Sequence, residues 1–169
     1  MVNHADGKLI GGYTTKDHLL LDLDHCWRSK AEKVARMIMR EYPEVGCCLL
    51  VQSSNEGFHL VFSRKMAWSR ICHVSKVLAS LGTLNRDYIR IREFRHDLTL
   101  RVTPIDRGQG VQPQPKVLDI IHAGSCGGRL CCGSGRFRRF LELLVGDEVL
   151  HLRCLHPEVR EPSAEVVDG

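Results

Sequence analysis

Two hydrophobic periods alternate along this chain. Residues 19–21 are an unbroken leucine run followed by Asp22, Leu23 and Asp24, the pattern of a strand that is buried along its length and presents acids at alternate positions near its end. Residues 28–42 place Ala31, Val34, Ala35, Ile38 and Met39 at three- and four-residue steps, which predicts an amphipathic helix closed by Pro43. An apolar run at 47–52, the turn residues Ser53-Ser54-Asn55-Glu56-Gly57 and a second run at 58–62 read as a hairpin. Helical spacing returns at 68–81 through Trp68, Ile71, Cys72, Val74, Val77 and Leu78, and Gly82 stands where helices commonly end. Tyr88, Ile89 and Ile91, a polar interval at Arg95-His96-Asp97, and then Leu98, Leu100 and Val102 alternating with polar residues read as another hairpin ending at Pro104. Before residue 17 the pattern supports a leader with a short strand over 8–10.

The order strand, helix, hairpin, helix, strand predicts the α+β class. The arrangement expected is a split βαβ unit, RRM-like or ferredoxin-like, with an antiparallel sheet and its helices on one face. The other face of such a sheet stays open, and nucleotides or nucleic-acid strands commonly lie there. Residues 1–105 form the expected core. Residues 106–169 are expected to be a small C-terminal extension packed on it: a Gly/Gln/Pro-rich linker to 116, a short apolar segment at 117–121, a Gly/Cys-rich loop at 124–135, a helix at 137–144 and a polar tail from 157.

With 169 residues, 43% apolar and 26% charged, the chain has the size and composition of one globular domain. The net charge of +4 is modest, but arginines concentrate at 86–107 and 129–139, which points to a polyanionic partner. No 18-residue apolar run occurs and the first residues lack the apolar core of a signal peptide, so a cytoplasmic location is expected. In that reducing setting the eight cysteines are expected as thiols, with Cys26, Cys47, Cys48 and Cys72 as small core residues.

Asp22 and Asp24, two apart on a strand, share a face and repel each other. A divalent cation relieves that repulsion most simply, and oxygen ligands suit Mg²⁺ or Mn²⁺. The plainer alternative is that Asp24 caps a helix starting near Trp27. His59 follows Gly57 closely, where a phosphate could approach the backbone. Its imidazole could hold a triphosphate through a charge-assisted hydrogen bond.

Leu-Leu-Leu-Asp22-Leu-Asp24, followed by Ser53-Ser54-Asn-Glu-Gly57-Phe58-His59-Leu-Val-Phe, resembles the archaeo-eukaryotic primase superfamily, including its primase-polymerase branch. The resemblance spans about residues 17–105. It implies a modified RNA-recognition-like fold that polymerises nucleotides with two divalent cations, on a hydrophobic strand ending in Asp-x-Asp, a Ser/Gly turn before a strand histidine, and a third acid before a final strand. Asp87, ahead of the Leu98–Pro104 segment, is the first candidate for that acid; Asp97 competes, and Asp106 is more distant. On this reading Asp22, Asp24 and Asp87 hold Mg²⁺ or Mn²⁺ and clamp the attacking and leaving oxygens. His59 and Arg101 bind the incoming triphosphate beside Ser53, Ser54 and Gly57. Arg64, Lys65, Arg90, Arg92 and Arg95 follow template phosphates, against the plainer reading of a solvated strand face. The expected activity is that of a primase or primase-polymerase, a nucleotidyltransferase that makes or extends primers on single-stranded DNA from nucleoside triphosphates, with a helicase or another replication subunit as a further partner. The alternatives are a non-catalytic, degenerate single-stranded nucleic-acid-binding module and a metal-dependent nuclease using the same carboxylates.

His122, Cys126, Cys131 and Cys132 carry the right atoms for zinc, but His-x3-Cys-x4-Cys-Cys is not a common zinc spacing. A glycine-rich loop with reduced thiols is the favoured reading. The glycines of 124–135, followed by Arg136, Arg138 and Arg139 opening a helix, could seat a phosphate. They lack the Lys-Ser/Thr ending of a P-loop, which argues against an ATPase.

Overall fold

The structure, a computed structural model, describes residues 2–5, 8–101, 104–106, 108 and 110–122. In chain order the elements are β1 (Val2–Ala5), β2 (Lys8–Thr15), β3 (His18–Leu23), α1 (Arg28–Glu41), β4 (Cys48–Ser54), β5 (Gly57–Lys65), α2 (Trp68–Ser80), α3 (Arg86–Arg95), β6 (Leu98–Arg101), β7 (Ile105–Asp106), β8 (Val111–Gln112) and β9 (Lys116–Ile121). A short 3₁₀ turn, Pro43–Val45, follows α1. Strands β3, β5, β4 and β9 form, in that order, an antiparallel four-stranded sheet. The protein is therefore an α+β fold compatible with a split βαβ arrangement. A second sheet runs β1-β2-β6, its β6 lying beside β3. Strands β7 and β8 make a small separate hairpin.

The leucine run forms the buried strand that its pattern predicts. Leu19, Leu20 and Leu21 are fully buried, and Leu21 and Leu20 lie opposite Leu60 and Val61 of β5. Burying each such side chain contributes about 1.5–3 kcal/mol, so these two strands anchor the core. Helix α1 buries Ala31, Val34, Ala35, Ile38 and Met39, the five residues its spacing singles out. Helix α2 buries Ile71, Val74, Ser75, Leu78 and Ala79. Gly82 takes the left-handed backbone (φ +71°) that releases the chain from the helix. The described cysteines 26, 47, 48 and 72 are free thiols; the first three are buried and Cys72 is partly so. Burial pushes the Cys48 thiol far above its ordinary range, as expected of a small core residue.

The sheet departs from expectation in four respects. The face that carries Asp22 and His59 is not an open platform. Leu20 and Val61, and Leu49 and Val51 of β4, share that face by register and are all buried, so access is confined to the end of the sheet at Asp22. Residues 88–91 are not a strand but lie in α3. The Ile89-x-Ile91 alternation suggested a period of two, but Ile89 is buried and Ile91 exposed, and Tyr88 meets Arg92 one turn later. The Asn85 side chain caps this helix by accepting from Asp87 N–H at 2.8 Å. The hydrogen-bonded partner of β6 is instead β2, through Thr15↔Leu98 to Gly12↔Arg101, so the early strand extends well past residues 8–10. Finally, β9 lies beyond the expected boundary at 105 yet is the fourth strand of the main sheet, paired with β4.

No helix among the described residues is long and apolar enough to cross a membrane. The Gly/Cys-rich loop with Cys126, Cys131 and Cys132, the arginines 136, 138 and 139, the 137–144 helix and the polar tail lie outside the described residues.

Candidate active site

Strand pairing puts Asp22 directly opposite His59. Directly opposed residues on antiparallel neighbours share a face, which brings their side chains within reach. The His59 Nε2 lies 3.3 Å from Asp22 Oδ1, with the imidazole only 4% exposed and the carboxylate 34% exposed. His59 Nδ1 is buried and has no hydrogen-bond partner among the described residues. The sequence anticipated this neighbourhood, and the ladder supplies its geometry.

Asp24 follows the end of β3 and is exposed. It does not cap α1: that helix begins at an N-cap Trp27 whose side chain makes no capping bond. The capping reading of this carboxylate is thereby removed, and its place just past the strand end fits the plain alternative of an acid that begins a turn. Asp24 lines a cavity of about 630 Å³ with His25, Ser54, Asn55, Glu56, Val111, Gln112 and Pro113. That volume lies within the range of about 300–1,000 Å³ usual for small-molecule sites. One wall is the β4–β5 turn and another is β8 with Pro113. The turn is tied to the end of β3 by Cys26 N–H donating to Glu56 O at 2.9 Å and by His25 Nδ1 lying 3.7 Å from Glu56 Oε2.

A Cβ at Gly57 would come within 2.5 Å of Ser54 Oγ and 2.8 Å of Ser53 Oγ, so a side chain there would make both hydroxyls turn away. Ser53 is buried and Ser54 partly so. Arg101 spans the cavity walls. Its guanidinium donates to Ser53 O and, at 2.8 Å, to Pro113 O. It thus acts as a strut between the hairpin and the β8 segment, where the sequence suggested a triphosphate ligand.

Tyr88, which the sequence analysis did not single out, completes the surroundings of the acids. Burial pushes its hydroxyl up to about 12; Arg92 pulls it down, and Asp22 and Asp24 each raise it. The hydroxyl itself is buried. The Arg92 guanidinium sits 4.8 Å from the centre of the Tyr88 ring, contacts Asp97 Oδ1 at 3.5 Å and donates to Thr99 O at 3.0 Å. These contacts commit Arg92 to the interior and withdraw it from the set expected on template phosphates. The Tyr88–Arg92 spacing of one helical turn was the available signal, masked by the strand-like alternation around it.

The third acid is not assembled. Asp87 is exposed in the first turn of α3, and Asp97 is engaged by Arg92. Among the described residues no three His, Cys, Asp or Glu side chains are grouped to hold a metal ion. Asp106 lies on β7. Of the expected basic residues, Arg64, Arg90 and Arg95 are exposed, and exposed Lys65 reaches Asp17 at 3.6 Å. His122 lies 3.7 Å from Cys47 Sγ; the three cysteines suggested as its zinc partners fall outside the described residues. Comparison of the chain with protein-family models, curated proteins and solved structures finds no match.

Proposed function

We propose that this protein is a primase-polymerase-type nucleotidyltransferase, which binds a nucleoside triphosphate at the end of β3 and extends a primer on single-stranded DNA. The observation that carries this reading is the cross-strand pair of Asp22 and His59 at the end of β3, two residues before an exposed Asp24 that lines a cavity of about 630 Å³ which the pair itself does not line. The Asp22 carboxylate, paired with the imidazole yet 34% exposed, supports a polar ligand at this end of the sheet. The Ser53-Ser54 turn over Gly57 offers two hydroxyls and a close backbone approach at the same end.

The donors fit one divalent cation. Mg²⁺ takes one or two carboxylates and completes its octahedron with water and substrate phosphate, a demand that Asp22 and Asp24 meet. Such an ion would neutralise phosphate charge and polarise the phosphoryl group under attack. In this proposal Asp22 also orients His59, which steadies the triphosphate. Arg101 keeps the cavity walls apart, and Tyr88 covers the acids from the side of α3.

A second reading, a binding module that does not polymerise, is favoured by the lack of a third acid among the described residues grouped with Asp22 and Asp24. A labelled primer-template incubated with nucleotides and Mn²⁺ separates the two. The expected result is primer extension that is lost in Asp22→Asn and reduced at least tenfold in His59→Ala. Binding of the template without extension, at any nucleotide concentration, would establish the second reading, and primer shortening would indicate a nuclease.

A further inference from the structure

Helix α3 presents two unlike faces. Its inner face carries Ile89, which is buried, with Tyr88 and Arg92 stacked on each other beside it and Arg92 reaching Asp97. Its outer face carries Arg86, Arg90, Ile91, Phe94 and Arg95, all exposed, with Phe94 88% exposed and Ile91 53%. A lone exposed phenylalanine is unremarkable, but this one has Arg90 one turn earlier on the same stripe, and Arg95 follows at the end of the helix. The outer face therefore combines three cations with one fully presented aromatic ring. Asp87, in the first turn, is the acid exposed alongside them, at the opposite end from Phe94.

Burying nine-tenths of a phenyl ring would be favourable, so its exposure needs a reason. Charge complementarity supplies one: three arginines around an aromatic ring suit a chain of phosphates carrying stackable bases. An acidic peptide would satisfy the cations but leave the ring without a stacking partner. The helix is also held firmly. Lys76 of α2 meets Glu93 at 2.7 Å, and the Trp68 and His96 rings lie 6.1 Å apart between centroids.

We infer that the outer face of α3 is the docking surface for single-stranded nucleic acid, with Phe94 stacking on a base and Arg90 and Arg95 contacting the phosphates on either side of it. This rests on the reading proposed above and adds the surface on which the template lies.

The test is fluorescence anisotropy of the full chain with a fluorescein-labelled oligodeoxythymidine of about 20 nucleotides, a length that covers the site size of a small module. Phe94→Ala is expected to weaken binding about 5- to 100-fold, and Phe94→Trp to retain it. Arg90→Ala and Arg95→Ala should each flatten the dependence of log affinity on log salt by about 0.7. Because Phe94 is exposed, thermal unfolding of Phe94→Ala should match the wild type. A photocrosslink from iodinated deoxyuridine to the α3 peptide would give the same answer without a mutation. Unchanged affinity and salt slope in all three alanine variants overturns the inference. So does a loss of self-association in Phe94→Ala at unchanged DNA affinity, which would make this face a contact between copies of the chain. Asp22→Asn should leave this binding intact. Binding that depends on α3 but supports no primer extension would therefore sink the polymerase reading alone.

Discussion

Strands β3 and β5 and helix α3 are built by different means. The strands are locked by a ladder and by leucines excluded from water, so Asp22 and His59 meet at a fixed register. Sliding that register by one residue would send Asp22 to the opposite face, which the buried leucines on both sides forbid. Helix α3 has one buried residue, Ile89, and is held by an ion pair to α2, by Arg92 reaching Asp97 and Thr99, and by a capping asparagine. The candidate site thus sits on strands fixed by their register, and the proposed docking surface on a helix tied mainly by polar contacts.

The largest effect that would break this contrast lies in the core. Leu20→Ala is expected to cost about 2–5 kcal/mol in urea denaturation, as for other fully buried leucines, while Ile91→Ala on α3 should stay within about 0.5 kcal/mol. Equal costs at the two positions would show that α3 is as firmly integrated as the sheet.

A smaller effect belongs to Tyr88, where the two regions meet. Its hydroxyl is held up at about 12 in the fold against an ordinary value of 10. Folding therefore keeps a proton that the unfolded chain gives up first, and stability is complete below about pH 10 and falls as pH rises through about 12. Tyr88→Phe should flatten this decline when urea midpoints are compared across the alkaline range. An identical alkaline slope in both proteins would mean that the hydroxyl is not screened from water by its neighbours.

The smallest expected change is at the α2–α3 tie. Lys76→Ala breaks a pair whose lysine is largely exposed, so its cost should be about 0–1 kcal/mol by denaturation. A larger loss would mean that α3 depends on this one bridge and is held less by its buried side.

Much of this architecture was legible in the residues because burial and local chemistry agreed. The leucine run, the helical spacing at 28–42 and the Ser/Gly turn each have one physical solution, and together they put Asp22 beside His59. Two things were not legible. The 86–95 segment mixes arginines with an Ile-x-Ile alternation, so its period is ambiguous until Ile89 is seen to be buried and Ile91 not. The third acid could not be fixed either, because single acids are common and only the fold decides which ones meet. Here it gives Asp87 to the opening of a helix and Asp97 to Arg92. The cavity wall formed by 111–113 arises from segments distant in sequence, and no local pattern announces such a wall.

The pairing of β2 with β6 also governs how the molecule comes together. Its register joins Gly12 to Arg101, so this ladder closes only when almost the whole described chain has been gathered. Closing so long a loop costs entropy before any contact repays it, which makes the step slow compared with forming α1 or the β4–β5 hairpin. Arg101 is delivered to its seat between Ser53 and Pro113 by that same late closure. Among the described residues the cavity is therefore one of the later features to form, after the ladder that sets Asp22 opposite His59.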